Sequence, residues 1–65
     1  MMTLNFTVPN MACSACSDTI THAIKAVDPS AKVNADLKTK LVDVETQASE
    51  TSVKQAVSDA GYTVA

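Results

Sequence analysis

Hydrophobic and polar positions alternate near the start of the chain, where Leu4, Phe6 and Val8 fall between Thr3, Asn5 and Thr7. A period of two, with an aromatic and a β-branched residue on the apolar side, predicts a half-buried strand. Pro9 and Asn10 end it, and a short loop, Met11 to Ser14, follows. From about Ala15 the period lengthens. Cys16, Ile20, Ala23, Ile24 and Val27 recur at spacings of three and four, which places them on one face of a helix. Asp28-Pro29 stops this helix, because a proline disfavours helical backbone at the residue before it.

Alternation returns at Ala31, Val33 and Ala35, set against Lys32, Asn34 and Asp36, and again at Val42 and Val44, set against Asp43 and Glu45. Two short strands joined by a polar turn within Leu37 to Lys40 predict a hairpin, although no Asn-Gly or Asp-Gly fixes the turn type. Ser49 to Ala60 reads as a second helix, with Val53, Ala56, Val57 and Ala60 on its apolar face. Ser49 or Thr51 supplies an N-cap, and Glu50 is favourably placed near the positive end of the helix. Gly61, the one glycine, stands where a helix C-cap belongs. Tyr62, Thr63 and Val64 are expected to form a short last strand. The order strand, helix, strand, strand, helix, strand predicts an α+β fold, the ferredoxin-like βαββαβ sandwich: a four-stranded antiparallel sheet with two helices on one face.

A chain of 65 residues is expected to be one domain, residues 1–65. At this size little surface is buried, so idealised packing has to carry the fold, with a bound metal as a further source of stability. A net charge of −2 and only two rings, Phe6 and Tyr62, argue against a nucleic-acid binder, which needs a basic stripe and stacking platforms. No stretch approaches the roughly 18 apolar residues of a membrane span, so no membrane insertion is expected. Met1-Met2-Thr3-Leu4-Asn5 lacks a basic region and a long apolar run, which leads to the expectation of no secretory signal and a cytoplasmic location. Thiols stay reduced there, and a close cysteine pair points to metal or redox chemistry rather than to a structural bridge.

That pair is Cys13 and Cys16, three residues apart at the junction of a loop and a helix. The spacing lets both sulfurs address one ion. Free N–H groups and the partial positive charge at a helix start favour the thiolate, the form that binds metal. Thiolates are soft ligands and select Cu(I), Zn(II) or related ions over hard cations. Two thiolates alone suit Cu(I), whereas Zn(II) usually takes four ligands. The one histidine, His22, lies six residues beyond Cys16, roughly 240° around a helix and about 9 Å along it. Ala12, directly before Cys13, supplies no carboxylate that a harder ion would use. An under-coordinated ion is open to attack by an incoming thiol, so transfer by ligand exchange is the expected chemistry. Two other readings stay open: a carrier or binding module for Hg(II) or Zn(II), and a thiol–disulfide oxidoreductase, since C-x-x-C also serves redox proteins.

Met11-Ala-Cys13-Ser-Ala-Cys16, the element order and the closing Ala60-Gly61-Tyr62 together resemble the heavy-metal-associated domain family over the whole chain. The family includes small bacterial copper chaperones and the N-terminal domains of copper-transporting P-type ATPases. The resemblance implies a copper chaperone rather than an enzyme, with Cu(I) held by Cys13 and Cys16. The implied partner is the N-terminal metal-binding domain of a copper-transporting P-type ATPase. It further implies that Met11 is a hydrophobic tether under the loop and that Tyr62 stands close to the ion. Exposed thiols in such a domain allow either a monomer or a copper-bridged dimer. Mercury carriers of the family are usually exported, which weighs against Hg(II) where no signal sequence is expected. Asn10 departs from the glycine often found before the Met, and Ala26-Val27-Asp28-Pro29 departs from a Gly-Val turn; neither touches the implied ligands.

Overall fold

The structure, a computed structural model, describes residues 2–65; Met1, where the expected domain begins, lies outside the described residues. Five elements follow one another: β1 (Met2–Thr7), α1 (Ser14–Val27), β2 (Lys32–Ala35), β3 (Leu41–Thr46) and α2 (Glu50–Asp59). The strands pair antiparallel in the order β1-β3-β2, with β3 in the middle. The register follows from the alternation. Leu4 and Val33 both lie opposite Val44, and Phe6 and Ala35 both lie opposite Val42, which makes two apolar rows on one face. On the other face Lys32 lies directly across from Glu45, an opposite-charge pair.

The apolar rows meet the buried stripes of the two helices, Ile20 and Ile24 of α1 and Val53 and Val57 of α2, in one core that also takes in Val8, Met11 and Ala31. Ser49 caps α2, its hydroxyl accepting from the Ser52 N–H at 3.1 Å. Val27 departs from expectation and is 42% exposed. The inward row of α1 advances by four residues from Ile20 to Ile24 and then to Asp28, so Val27 is turned off it.

Asp28 ends α1 in extended backbone and is fully engaged. One carboxylate oxygen accepts from the Thr46 hydroxyl at 2.7 Å and the Gln47 N–H at 3.1 Å; the other accepts from the Ser30 N–H at 3.0 Å and the Ser30 hydroxyl at 2.7 Å. The Thr46 hydroxyl first, then Ser30 and the Gln47 N–H, hold this carboxyl well below the usual carboxylate range. Thr46 is wholly buried, and its oxygen in turn accepts from the Ala48 N–H at 3.0 Å.

The expected fourth strand does not form, so the sheet among the described residues has three strands rather than four. The reason lies in where the N–H groups of this segment go. That of Tyr62 bonds to the Val57 carbonyl at the end of α2 (3.3 Å), and that of Thr63 to the Asn10 side chain (3.1 Å). Only the Ala65 N–H reaches β1, at the Thr7 carbonyl (2.9 Å). A single bond of this kind lays the segment beside β1 without building a ladder.

Candidate metal centre

Cys13 is the N-cap residue of α1, in extended backbone (φ −148°, ψ 169°), and its side chain makes no capping bond. Its carbonyl accepts from the Cys16 N–H at 3.0 Å and the Ser17 N–H at 3.2 Å, which starts the helix. The thiol that an aspartate or serine would replace in an ordinary cap is therefore free for other chemistry. Cys13 is exposed; Cys16, one turn on, is half-buried and packs against the core. Both are free thiols, with Sγ atoms 3.2 Å apart.

The Cys16 thiol is made acidic by its surroundings. The Tyr62 hydroxyl, then the Cys13 thiol and the N–H groups of Ala12 and Cys13, lower its pKa from 9.0 to about 7, against an opposing effect of burial. The same contact with Cys16, together with burial, pushes the Tyr62 hydroxyl up. Tyr62 owes its place to Gly61, whose φ of 96° reverses the chain after α2. The Gly61 N–H bonds to Ser58 (3.0 Å) and the Tyr62 N–H to Val57, the paired main-chain bonds of a glycine C-cap. A Cβ built at Gly61 would meet nothing within 4 Å, so the demand for glycine is one of backbone conformation alone.

Replacing Tyr62 by phenylalanine is expected to raise the Cys16 pKa from about 7 toward 9.0, since the leading stabiliser of the thiolate is lost. The rate of iodoacetamide alkylation at Cys16, followed against pH by mass spectrometry, should fall severalfold at neutral pH and shift its midpoint upward. An unmoved midpoint would show that Tyr62 has no hold on the thiol.

Met11 is fully buried in the core, so its thioether faces the hydrophobic interior. His22 is exposed on α1. Among the described residues, no group of three or more His, Cys, Asp or Glu side chains gathers in a way that could hold a metal ion. The structure thus brings Cys13, Cys16 and Tyr62 together, with Met11 beneath the loop. Lys40, to which sequence reasoning gave no part in the site, and Asn10, which it read only as a departure from the family pattern, also tie the loop down. The Lys40 ammonium donates to the Met11 carbonyl at 2.8 Å, and the Asn10 side chain accepts from Thr63. Their partners lie 29 and 53 residues away along the chain, beyond the reach of any local signal.

A split-βαβ order with paired free thiols at a helix start defines a class of small metal-handling domain. The chain belongs to the heavy-metal-associated domain family, whose model matches residues 5–63. It is 40% identical to the mercuric transport protein periplasmic component of Serratia marcescens over 63 residues, which cover 92% of this chain and 69% of that protein. Among solved structures it is similar to the copper chaperone Atx1 of Synechocystis in a trimeric form, at 35% identity and a TM-score of 0.94, covering 95% of this chain and 98% of that one. It is also similar to the oxidised form of MerP from Ralstonia metallidurans, at 32% identity and a TM-score of 0.86, covering 98% of this chain and 93% of that one. Membership makes the chain a metal-binding protein and not an enzyme, which sets aside the thiol–disulfide oxidoreductase.

Proposed function

We propose that this protein is a copper metallochaperone that carries one Cu(I) between Cys13 and Cys16 and passes it on by ligand exchange. The observation that carries this reading is the isolated thiol pair, one member exposed, with Sγ atoms 3.2 Å apart and no cluster of three or more His, Cys, Asp or Glu side chains around it among the described residues. Two thiolates satisfy a soft ion of low coordination number and leave it open to a third. Bonds of about 2.3 Å, the metal–thiolate length known for Zn(II), would set two sulfurs in line about 4.6 Å apart. Capture therefore spreads the pair, and the exposed Cys13 is the member free to swing. The same freedom lets a thiol of an acceptor share the ion before Cys13 or Cys16 lets go.

The proposed acceptor is the N-terminal metal-binding domain of a copper-transporting P-type ATPase, presenting a matching cysteine pair. A second copy of this chain can bridge the same ion, so the protein is proposed to be a monomer when metal-free and able to form a copper-bridged dimer. The proposed setting is the cytoplasm, where thiols stay reduced and able to take a metal. The likeness to the Synechocystis copper chaperone, nearly end to end on both chains, supports copper as the cargo. The 40% identity to the mercuric transport protein favours a second reading, transfer of Hg(II), an ion equally suited to two thiolates.

Titration of the reduced protein with Cu(I), Zn(II) and Hg(II) in competition, with mass spectrometry for stoichiometry, separates these readings. One Cu(I) per chain that excess Zn(II) does not displace, and that moves to a paired-cysteine acceptor domain, is the expected result. Failure to take up Cu(I), or movement of Hg(II) alone to the acceptor, would sink the copper assignment.

A further inference from the structure

We propose that Lys40 is a positioning residue of the metal loop, clasping it from the β2–β3 turn and slowing the exit of the bound ion; the second half rests on the carrier reading above. The loop is entered through a tight turn, Val8 to Met11, closed by the Met11 N–H on the Val8 carbonyl at 3.0 Å. Lys40 holds that turn at both ends. Its main-chain carbonyl accepts from the Val8 N–H at 2.8 Å, and its ammonium donates to the Met11 carbonyl at 2.8 Å. The second bond carries a formal charge, and charge-assisted bonds are roughly twice as strong as neutral ones.

The clasp is presented by a preformed arm. Asp36 accepts the Lys38 and Thr39 N–H groups on its side chain (2.8 and 3.3 Å) and the Lys40 N–H on its carbonyl (2.8 Å). Within that turn Lys40 adopts a left-handed backbone, φ 65°, the one non-glycine residue to do so among those described. A side chain with a Cβ is disfavoured there, and glycine or asparagine is the usual occupant. Neither could reach Met11, so the long cationic side chain at this position has a use that the turn itself does not explain.

The bond acts on the site through one peptide group. The Met11 carbonyl and the Ala12 N–H belong to the same planar trans unit and point in opposite directions. Fixing the carbonyl on Lys40 fixes the direction of the Ala12 N–H, which is among the groups that face the Cys16 sulfur. The buried Met11 side chain and the Asn10 bond to Thr63 hold the loop at other points, and Lys40 brings a charge to it. A loop held in this way keeps Cys13 near Cys16 and favours recapture of an ion that has lost one thiolate.

Amide hydrogen exchange on the reduced, metal-free protein and Cu(I) release to an excess of chelator test the proposal in four forms: wild type, Lys40→Met, Lys40→Arg and Thr46→Val. Lys40→Met keeps the apolar stem and removes the donor. It is expected to speed exchange at Met11 about tenfold relative to the central β3 amides and to speed Cu(I) release by a similar factor. Lys40→Arg, which keeps charge and donors, should return both to within about twofold of wild type. Thr46→Val loosens the far end of the fold and should move Met11 and β3 exchange together, leaving Cu(I) release unchanged. An unchanged Met11-to-β3 ratio in Lys40→Met overturns the clasp, and faster exchange with unaltered release overturns its role in holding metal. Should the wild type take up no Cu(I), the carrier reading fails, while the exchange comparison still decides whether Lys40 orders the loop.

Discussion

Replacing either Cys13 or Cys16 by serine is expected to lower Cu(I) affinity by at least about two orders of magnitude. Four-ligand zinc sites bind with roughly 10–16 kcal/mol in all, so one thiolate is worth about 3 kcal/mol even where three others remain. Here a single one would remain. Serine offers a hard, protonated oxygen in place of a soft thiolate, and among the described residues no third His, Cys, Asp or Glu gathers with the pair to compensate. The fold should tolerate both changes, since Cys13 is exposed and makes no capping bond and Cys16 is only partly covered. Competition with a chromogenic Cu(I) chelator measures the loss, and circular dichroism checks the fold. Wild-type affinity in either variant would refute ligation by the pair.

The second large effect is expected at Met11, and it falls on stability instead. Met11 is wholly buried and is the bulkiest of the fully buried side chains. Truncation to alanine should cost about 2–5 kcal/mol through lost burial and the cavity left behind. A domain of this length has little more than about 3–5 kcal/mol in hand, so Met11→Ala should sit at the edge of unfolding at room temperature. Met11→Leu conserves volume and should cost less than about 1.5 kcal/mol. Chemical denaturation followed by circular dichroism reads both. The leucine variant also separates tether from ligand: it should bind Cu(I) as the wild type does, whereas a folded Met11→Leu protein with weakened binding would mark the thioether as a ligand.

The parts of the fold that local pattern can express were legible in the sequence. Leu4 and Phe6, Val42 and Val44, Ile20 and Ile24, and Val53 and Val57 are all core residues at the periods that announced them. Ser49 and Gly61 took the caps their chemistry suits. What the pattern could not express was competition for the same backbone groups. Tyr62 to Val64 has strand-like composition, but the N–H groups of Tyr62 and Thr63 are drawn to a helix end and to Asn10, and no ladder follows. The site was legible as a spacing, Cys13 to Cys16, and the family resemblance added Tyr62. The tie of Lys40 to the loop and the latch of Asp28 at the far end of α1 were not, because Lys40 read only as part of a polar turn and Asp28 as a helix stop. Both roles depend on partners brought close only by the folded chain, Met11 for Lys40 and Thr46 for Asp28.

Asp28 has a bearing on how the protein responds to acid. Its carboxyl is held below the ordinary value of 3.8, so the stability it lends is complete at pH values well above that figure and drains away only as the pH falls through it toward the lower, folded-state value. The Cys16 thiolate of the metal-free protein takes up its proton near pH 7. Protons thus compete for the sulfur several pH units before they reach the latch at the other end of α1. Between those limits lies an interval in which acid protonates the Cys16 sulfur of the metal-free protein and leaves the Asp28 latch engaged, so that the site responds to pH while the architecture around it stands.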